Sequence, residues 1–80
     1  MRYILKHRTK IGTFYIAQSP DGRFHPVFDE ESLGSYAHIE QAIDDLVLDA
    51  TFSVSHPKTS ERVDTSALGL PEDPREWEKV

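Results

Sequence analysis

The sequence predicts an α+β fold: a small antiparallel β-meander of three or four strands, packed by one amphipathic α-helix and closed by a docked C-terminal tail. Three observations carry the prediction. Ile39, Ala42, Ile43, Leu46, Val47 and Ala50 follow the spacing of one helical face, while Glu40, Gln41, Asp44, Asp45 and Asp49 fall on the other. Two runs rich in aromatic and β-branched residues precede that stripe. Strong turn signals separate them, Ser19-Pro20-Asp21-Gly22 above all. A helix with a single apolar stripe needs a surface to cover, and the preceding strands supply it.

Tyr3 to Arg8 alternates Tyr3, Leu5 and His7 with Ile4, Lys6 and Arg8, the pattern of a first strand. Lys10-Ile11-Gly12 reads as a short hairpin turn. Thr13–Ala17 is the best strand, with Phe14 and Ile16 on one face and Tyr15 and Ala17 on the other. After the Pro-Asp-Gly turn, Arg23–Phe28 forms a third strand. Pro26 lacks an N–H, so this strand is an edge or its donor side faces solvent there. Asp29-Glu30-Glu31-Ser32 makes a polar turn and Leu33–Tyr36 a short fourth strand. The helix runs from Ile39 to Ala50, with His38 at its N-cap and Gln41 where a capping-box partner sits. The predicted core is Phe14, Ile16, Phe28, Ile39, Ile43, Leu46 and Val47, with Phe24 and Phe52 at its rim.

Residues 1–54 therefore read as the sheet-plus-helix core, 55–66 as a loop and 67–80 as the docking tail. Asp73-Pro74-Arg75-Glu76 is a helix-start signal that leads into Trp77, the only tryptophan. Leu68 and Leu70 accompany it. Eighty residues make one domain with a small core, and there is no cysteine to brace it. Charges appear at once after Met1, and no apolar run approaches membrane-span length. The expectation is a soluble, cytoplasmic chain without a cleaved leader.

The net charge is −5 and unevenly spread. Residues 1–25 hold five basic side chains, Arg2, Lys6, Arg8, Lys10 and Arg23, against Asp21 alone. Residues 26–50 hold seven acids, Asp29, Glu30, Glu31, Glu40, Asp44, Asp45 and Asp49, and no Lys or Arg. Two runs, Asp29-Glu30-Glu31 on a turn and Glu40, Asp44, Asp45 and Asp49 on a helix, are candidates for one negative surface that meets a protein with a basic patch. The basic N-terminal strands, Arg2, Lys6, Arg8, Lys10 and Arg23 with Tyr3, Phe14 and Tyr15 among them, are the candidate nucleic-acid surface.

Signs of catalysis are sparse. His7, His25, His38 and His56 lie in no metal-ligand spacing, and no nucleophile elbow or phosphate-cradling loop is present. His25, beside Arg23 on a strand, is the histidine to watch. No cofactor and no metal is implied. The reading is a non-catalytic protein-binding module, with nucleic-acid binding as the alternative and a small enzyme as the remote one.

At Gly12-Thr13-Phe14-Tyr15-Ile16, Asp21-Gly22-Arg23-Phe24-His25, Leu33-Gly34-Ser35-Tyr36-Ala37 and Gln41–Leu46, the chain resembles a group of small uncharacterised proteobacterial proteins. Leu68-Gly69-Leu70-Pro71-Glu72 and Glu76-Trp77-Glu78 extend the likeness over most of the chain except 55–66. The resemblance implies no catalytic residue. The sheet-then-helix order is also similar to that of HicB-type antitoxins, without the Gly-Cys motif usual there. Neither likeness implies an activity; the expected role is a small acidic regulator or inhibitor of a nucleic-acid-handling or defence system, antitoxin-like or anti-CRISPR-like.

Overall fold

The computed structural model describes all residues, Met1–Val80. Strands β1 (Arg2–Thr9), β2 (Gly12–Gln18) and β3 (Phe24–Phe28) form an antiparallel meander, extended by the two-residue strand β4 (Glu31–Ser32). Helix α1 (Ile39–Val47) follows. A small second ladder joins β5 (Val54–Ser55), at the end of the expected core segment, to β6 (Arg62–Val63), inside the stretch expected as a loop. The tail adds β7 (Glu78–Lys79) to the free side of β1, so the main sheet has five strands in the order β4-β3-β2-β1-β7.

The core lies on the face of the sheet that α1 covers. Phe14, Ile16, Ile43 and Leu46 are fully buried there, and Phe14 stacks on Phe28 at 4.4 Å between ring centroids. Leu5, Leu33, Val54, Leu70 and Trp77 complete the cluster, whereas Ile39 and Val47 are only partly buried. Trp77 is fixed as well as buried: its Nε1–H donates to the Pro71 carbonyl at 3.0 Å. Phe52, expected at the core rim, is instead 71% exposed, although its backbone N–H bonds the Leu33 carbonyl.

Four local features depart from the sequence reading. The Asp29 turn is tighter than predicted. Only Asp29 and Glu30 form it, at φ 53° and 67°, and Glu31 already pairs with Phe28. Two consecutive left-handed residues match the right-handed twist of a hairpin, but glycine or asparagine normally fills them. The predicted Leu33–Tyr36 strand is reduced to a single bridge between Tyr36 and Phe24. Pro26 explains the break: in the register of Phe24 with Tyr36 it faces Gly34, and it has no N–H to give. Pro26 is nonetheless buried, its open donor side turned away from β2.

The helix is shorter than the stripe that predicted it. It ends at Val47, and Asp49 takes φ 58°. Ala50 N–H then bonds the Asp45 carbonyl at 2.8 Å and Asp49 N–H the Leu46 carbonyl at 3.3 Å, the two bonds of a Schellman ending with Asp in the glycine position. Finally, the β1–β2 register slips between Tyr3 and Leu5. Leu5 and His7 face Ile16 and Phe14, but Tyr3 faces Ala17. One extra residue in a strand reverses the alternation beyond it, so Tyr3 leaves the Leu5 face on which simple alternation placed it.

Candidate functional site

The bulge builds the most distinctive surface of the molecule. By strand alternation, Tyr3, Lys6, Arg8, Thr13 and Tyr15 share the sheet face opposite α1. Tyr3 and Tyr15 stack there, ring centroids 4.5 Å apart with 26° between the planes. Tyr3 remains 36% exposed. Beneath the pair, Ala17 and Val27 are buried, each opposite one of the tyrosines in the ladder.

Grooves of opposite character flank the tyrosines. One, of about 370 Å³, is lined by Tyr3, Tyr15, Ile11, Pro57, Asp29 and Glu30, with no Lys or Arg. A smaller one, of about 320 Å³, shares Tyr3 and Glu30 with it and reaches Met1, Val27 and Ser32. On the far side of Tyr15 a third, of about 470 Å³, is lined by Lys6, Arg8, Thr13 and Glu78 besides Tyr15 itself. The face is therefore bipolar, acidic toward the β3–β4 turn and basic toward β7.

The predicted basic set does not converge. Lys6 and Arg8 share a groove. Arg2 stands opposite Gln18 and borders a separate cleft with Met1, Ser19 and Pro20, while Lys10 lies in the β1–β2 turn. Arg23 belongs to the helix side: its Nε donates to Ser35 Oγ at 2.6 Å and its Nη2 to the Ser35 carbonyl at 3.0 Å.

The acids divide three ways. Asp29 and Glu30 border the tyrosine groove, and exposed Glu31 continues into β4. Asp44 and Asp45 line a groove with Arg23, Tyr36 and exposed Leu48. The Tyr36 hydroxyl is pushed up to about 12, first by burial and then by the neighbouring Asp45 carboxylate. Asp49 is a correction to the predicted patch. It lies beyond the helix, and its carboxylate holds Arg62 Nη2 at 2.7 Å and the Thr65 N–H at 3.2 Å. The Arg62 hydrogen bond holds its carboxyl below the usual range. Buried Thr65 in turn donates to the Leu46 carbonyl, one of the helix's terminal acceptors. Asp49 thus ties the 62–65 segment to the end of α1.

His25 is a structural hub. Its Nδ1 lies 2.8 Å from the Gly34 carbonyl and 3.2 Å from Ser32 Oγ, and its Nε2 lies 3.1 Å from Ser19 Oγ. The Ser19 hydroxyl also donates to the Asp21 carboxylate, so its one proton cannot serve both neighbours at once. The cleft beside Ser19 includes neither His25 nor a carboxylate. No three His, Asp or Glu side chains form a metal-holding group, and no helix is long and apolar enough to cross a membrane.

No family model, curated protein or solved structure matches the chain. The site therefore rests on its own geometry. Sequence reasoning named Tyr3, Tyr15, Lys6 and Arg8 on one surface and Asp29 and Glu30 on another, because the folding of the β3–β4 turn beside the tyrosines is a tertiary contact that no local signal marks.

Proposed function

We propose that this protein is a non-catalytic protein-binding module whose contact surface is the open sheet face rather than the acidic side of α1. The observation that supports this most is the stacked Tyr3–Tyr15 pair, partly exposed between grooves of opposite charge. Tyrosine and arginine dominate the energetic centres of protein interfaces because they bring large contact area with few rotatable bonds and a polar tip. Both kinds of residue stand on this face, on paired strands of the main sheet, and hydrogen-bonded strands lower the ordering cost of binding. A partner with a basic edge, such as a nucleic-acid-handling protein presents, fits the Asp29–Glu30 side.

Capture from a lysate of the producing cells tests the reading with paired variants. A Tyr3→Ser/Tyr15→Ser protein that keeps its cooperative melt loses the partner, while Asp44→Asn/Asp45→Asn retains it. Retention by the tyrosine variant and loss by the helix variant refutes the reading.

One observation favours a second reading. Lys6, Arg8 and Tyr15 line a common groove, and aromatic rings beside cations suit a single-stranded nucleic acid. Glu78 in that groove and Asp29 and Glu30 beyond the tyrosines oppose phosphate, so this reading ranks second. Steep salt dependence of oligonucleotide binding supports it; no binding at low salt removes it.

A further inference from the structure

Resting on the proposed protein-binding role, we propose that the groove between the tyrosine pair and the Asp29–Glu30 turn receives a cationic side chain of the partner, specifically an arginine. The groove combines two elements that a guanidinium uses together. Aromatic faces stack on its plane, and carboxylates accept its forked N–H donors. Tyr3 and Tyr15 supply the first, with Ile11 and Pro57 as apolar walls, and Asp29 and Glu30 supply the second. No Lys or Arg lines the groove, and neither carboxylate takes part in an ion pair within the chain. The carboxylates of Asp49 and Asp73, by contrast, are already occupied by Arg62 and Arg75. Glu30, exposed to solvent, borders both neighbouring grooves beside Tyr3.

The opposite wall of Tyr15 strengthens the assignment. Lys6 and Arg8 stand there, so an arginine-bearing segment is drawn to the acidic side and turned from the basic one. An anionic occupant would meet the reverse. The position of the cation thus sets the orientation of the bound segment across the sheet.

Nitrogen-15 correlation NMR of the full chain tests this with blocked arginine, N-acetyl-arginine methylamide, and its neutral citrulline counterpart. The arginine compound shifts the amides of Ile11, Thr13, Tyr15, Asp29 and Glu30 saturably, and citrulline binds markedly more weakly. Asp29→Asn/Glu30→Gln lowers the affinity by about three- to tenfold, the size expected for losing exposed charge pairs. Asp44→Asn/Asp45→Asn, which removes the same formal charge elsewhere, leaves it nearly unchanged. Equal loss in both double variants, equal binding of citrulline, or shifts centred on α1 overturns the proposal. Shifts of the same amides by a short oligouridylate but not by arginine overturn it in favour of nucleic acid. If arginine fails while partner capture still depends on Tyr3 and Tyr15, the cationic occupant is wrong and the binding face stands; if capture is also independent of the tyrosines, both fall.

Discussion

Replacing Glu30 by glycine should make the protein more stable and a poorer binder. Glu30 is the second residue of a two-residue hairpin and sits at φ 67°. A side chain with a Cβ in that region costs about 1–2 kcal/mol through its clash with the carbonyl oxygen, a cost glycine escapes. Glycine also gives the unfolded chain more freedom, which returns about 0.5–1 kcal/mol of the gain. No internal ion pair of Glu30 is lost. The net expectation is a stabilisation of about 0.5–1 kcal/mol, or a rise in Tm of about 2–8 °C for a domain of this size. Paired thermal melts by circular dichroism, with urea titrations to confirm an unchanged m-value, measure it. The same variant should bind the arginine compound more weakly, since a carboxylate has gone from the groove. A lower Tm would refute the reasoning: it would mean that Glu30 makes stabilising contacts in the folded chain that exceed the strain of its backbone.

Other expectations follow from single contacts. Trp77→Ala removes a ring that is 4% exposed, and large-to-small changes of that kind cost about 3–5 kcal/mol, much of the total for so small a domain. Chemical denaturation should show it, and a change below about 1 kcal/mol would mean the tail contributes little. Asp49→Asn keeps a residue tolerant of left-handed backbone but removes the charge that Arg62 stabilises. Because the folded carboxyl of Asp49 is depressed, its contribution is present above its unfolded pKa of about 3.9 and is lost as pH falls through the folded value. The stability gap between wild type and Asp49→Asn should therefore hold at neutral pH and close in acid; a gap independent of pH contradicts the Arg62 pairing. Gly34→Ala places a Cβ 2.8 Å from the Tyr36 ring and should push that ring aside. The Tyr36 hydroxyl should then titrate lower than its present value of about 12, which tyrosine NMR signals followed into alkali would report.

The helix was legible because Ile39, Ala42, Ile43 and Leu46 repeat at the helical period, and the meander because Pro20-Asp21-Gly22 and the aromatic strand are local signals. What escaped was decided by conformations that the residue types do not advertise. Asp49 fills a left-handed position that glycine usually marks, so the apolar stripe to Ala50 overran the true end of α1. Asp29 and Glu30 do the same in their turn, and the polar run around them hid where the hairpin lay. The β1 bulge mattered most for the candidate site. Period-two reading grouped Tyr3 with Leu5, and only the pairing of Tyr3 with Ala17 shows that it joins Tyr15. Leu5 and Leu33, outside the predicted core set, joined it through long-range packing, which no local window contains.

The central claim, that the open sheet face carries the contact, is tested most directly by photo-crosslinking in the producing cells. A benzophenone amino acid at Thr13 lies between the acidic and basic grooves, and one at Gln41 lies on α1 beside Asp44 and Asp45. The account predicts a discrete crosslinked protein from position 13, abolished by Tyr3→Ser/Tyr15→Ser, and none from position 41. A discrete adduct from position 41 with none from position 13 would contradict it.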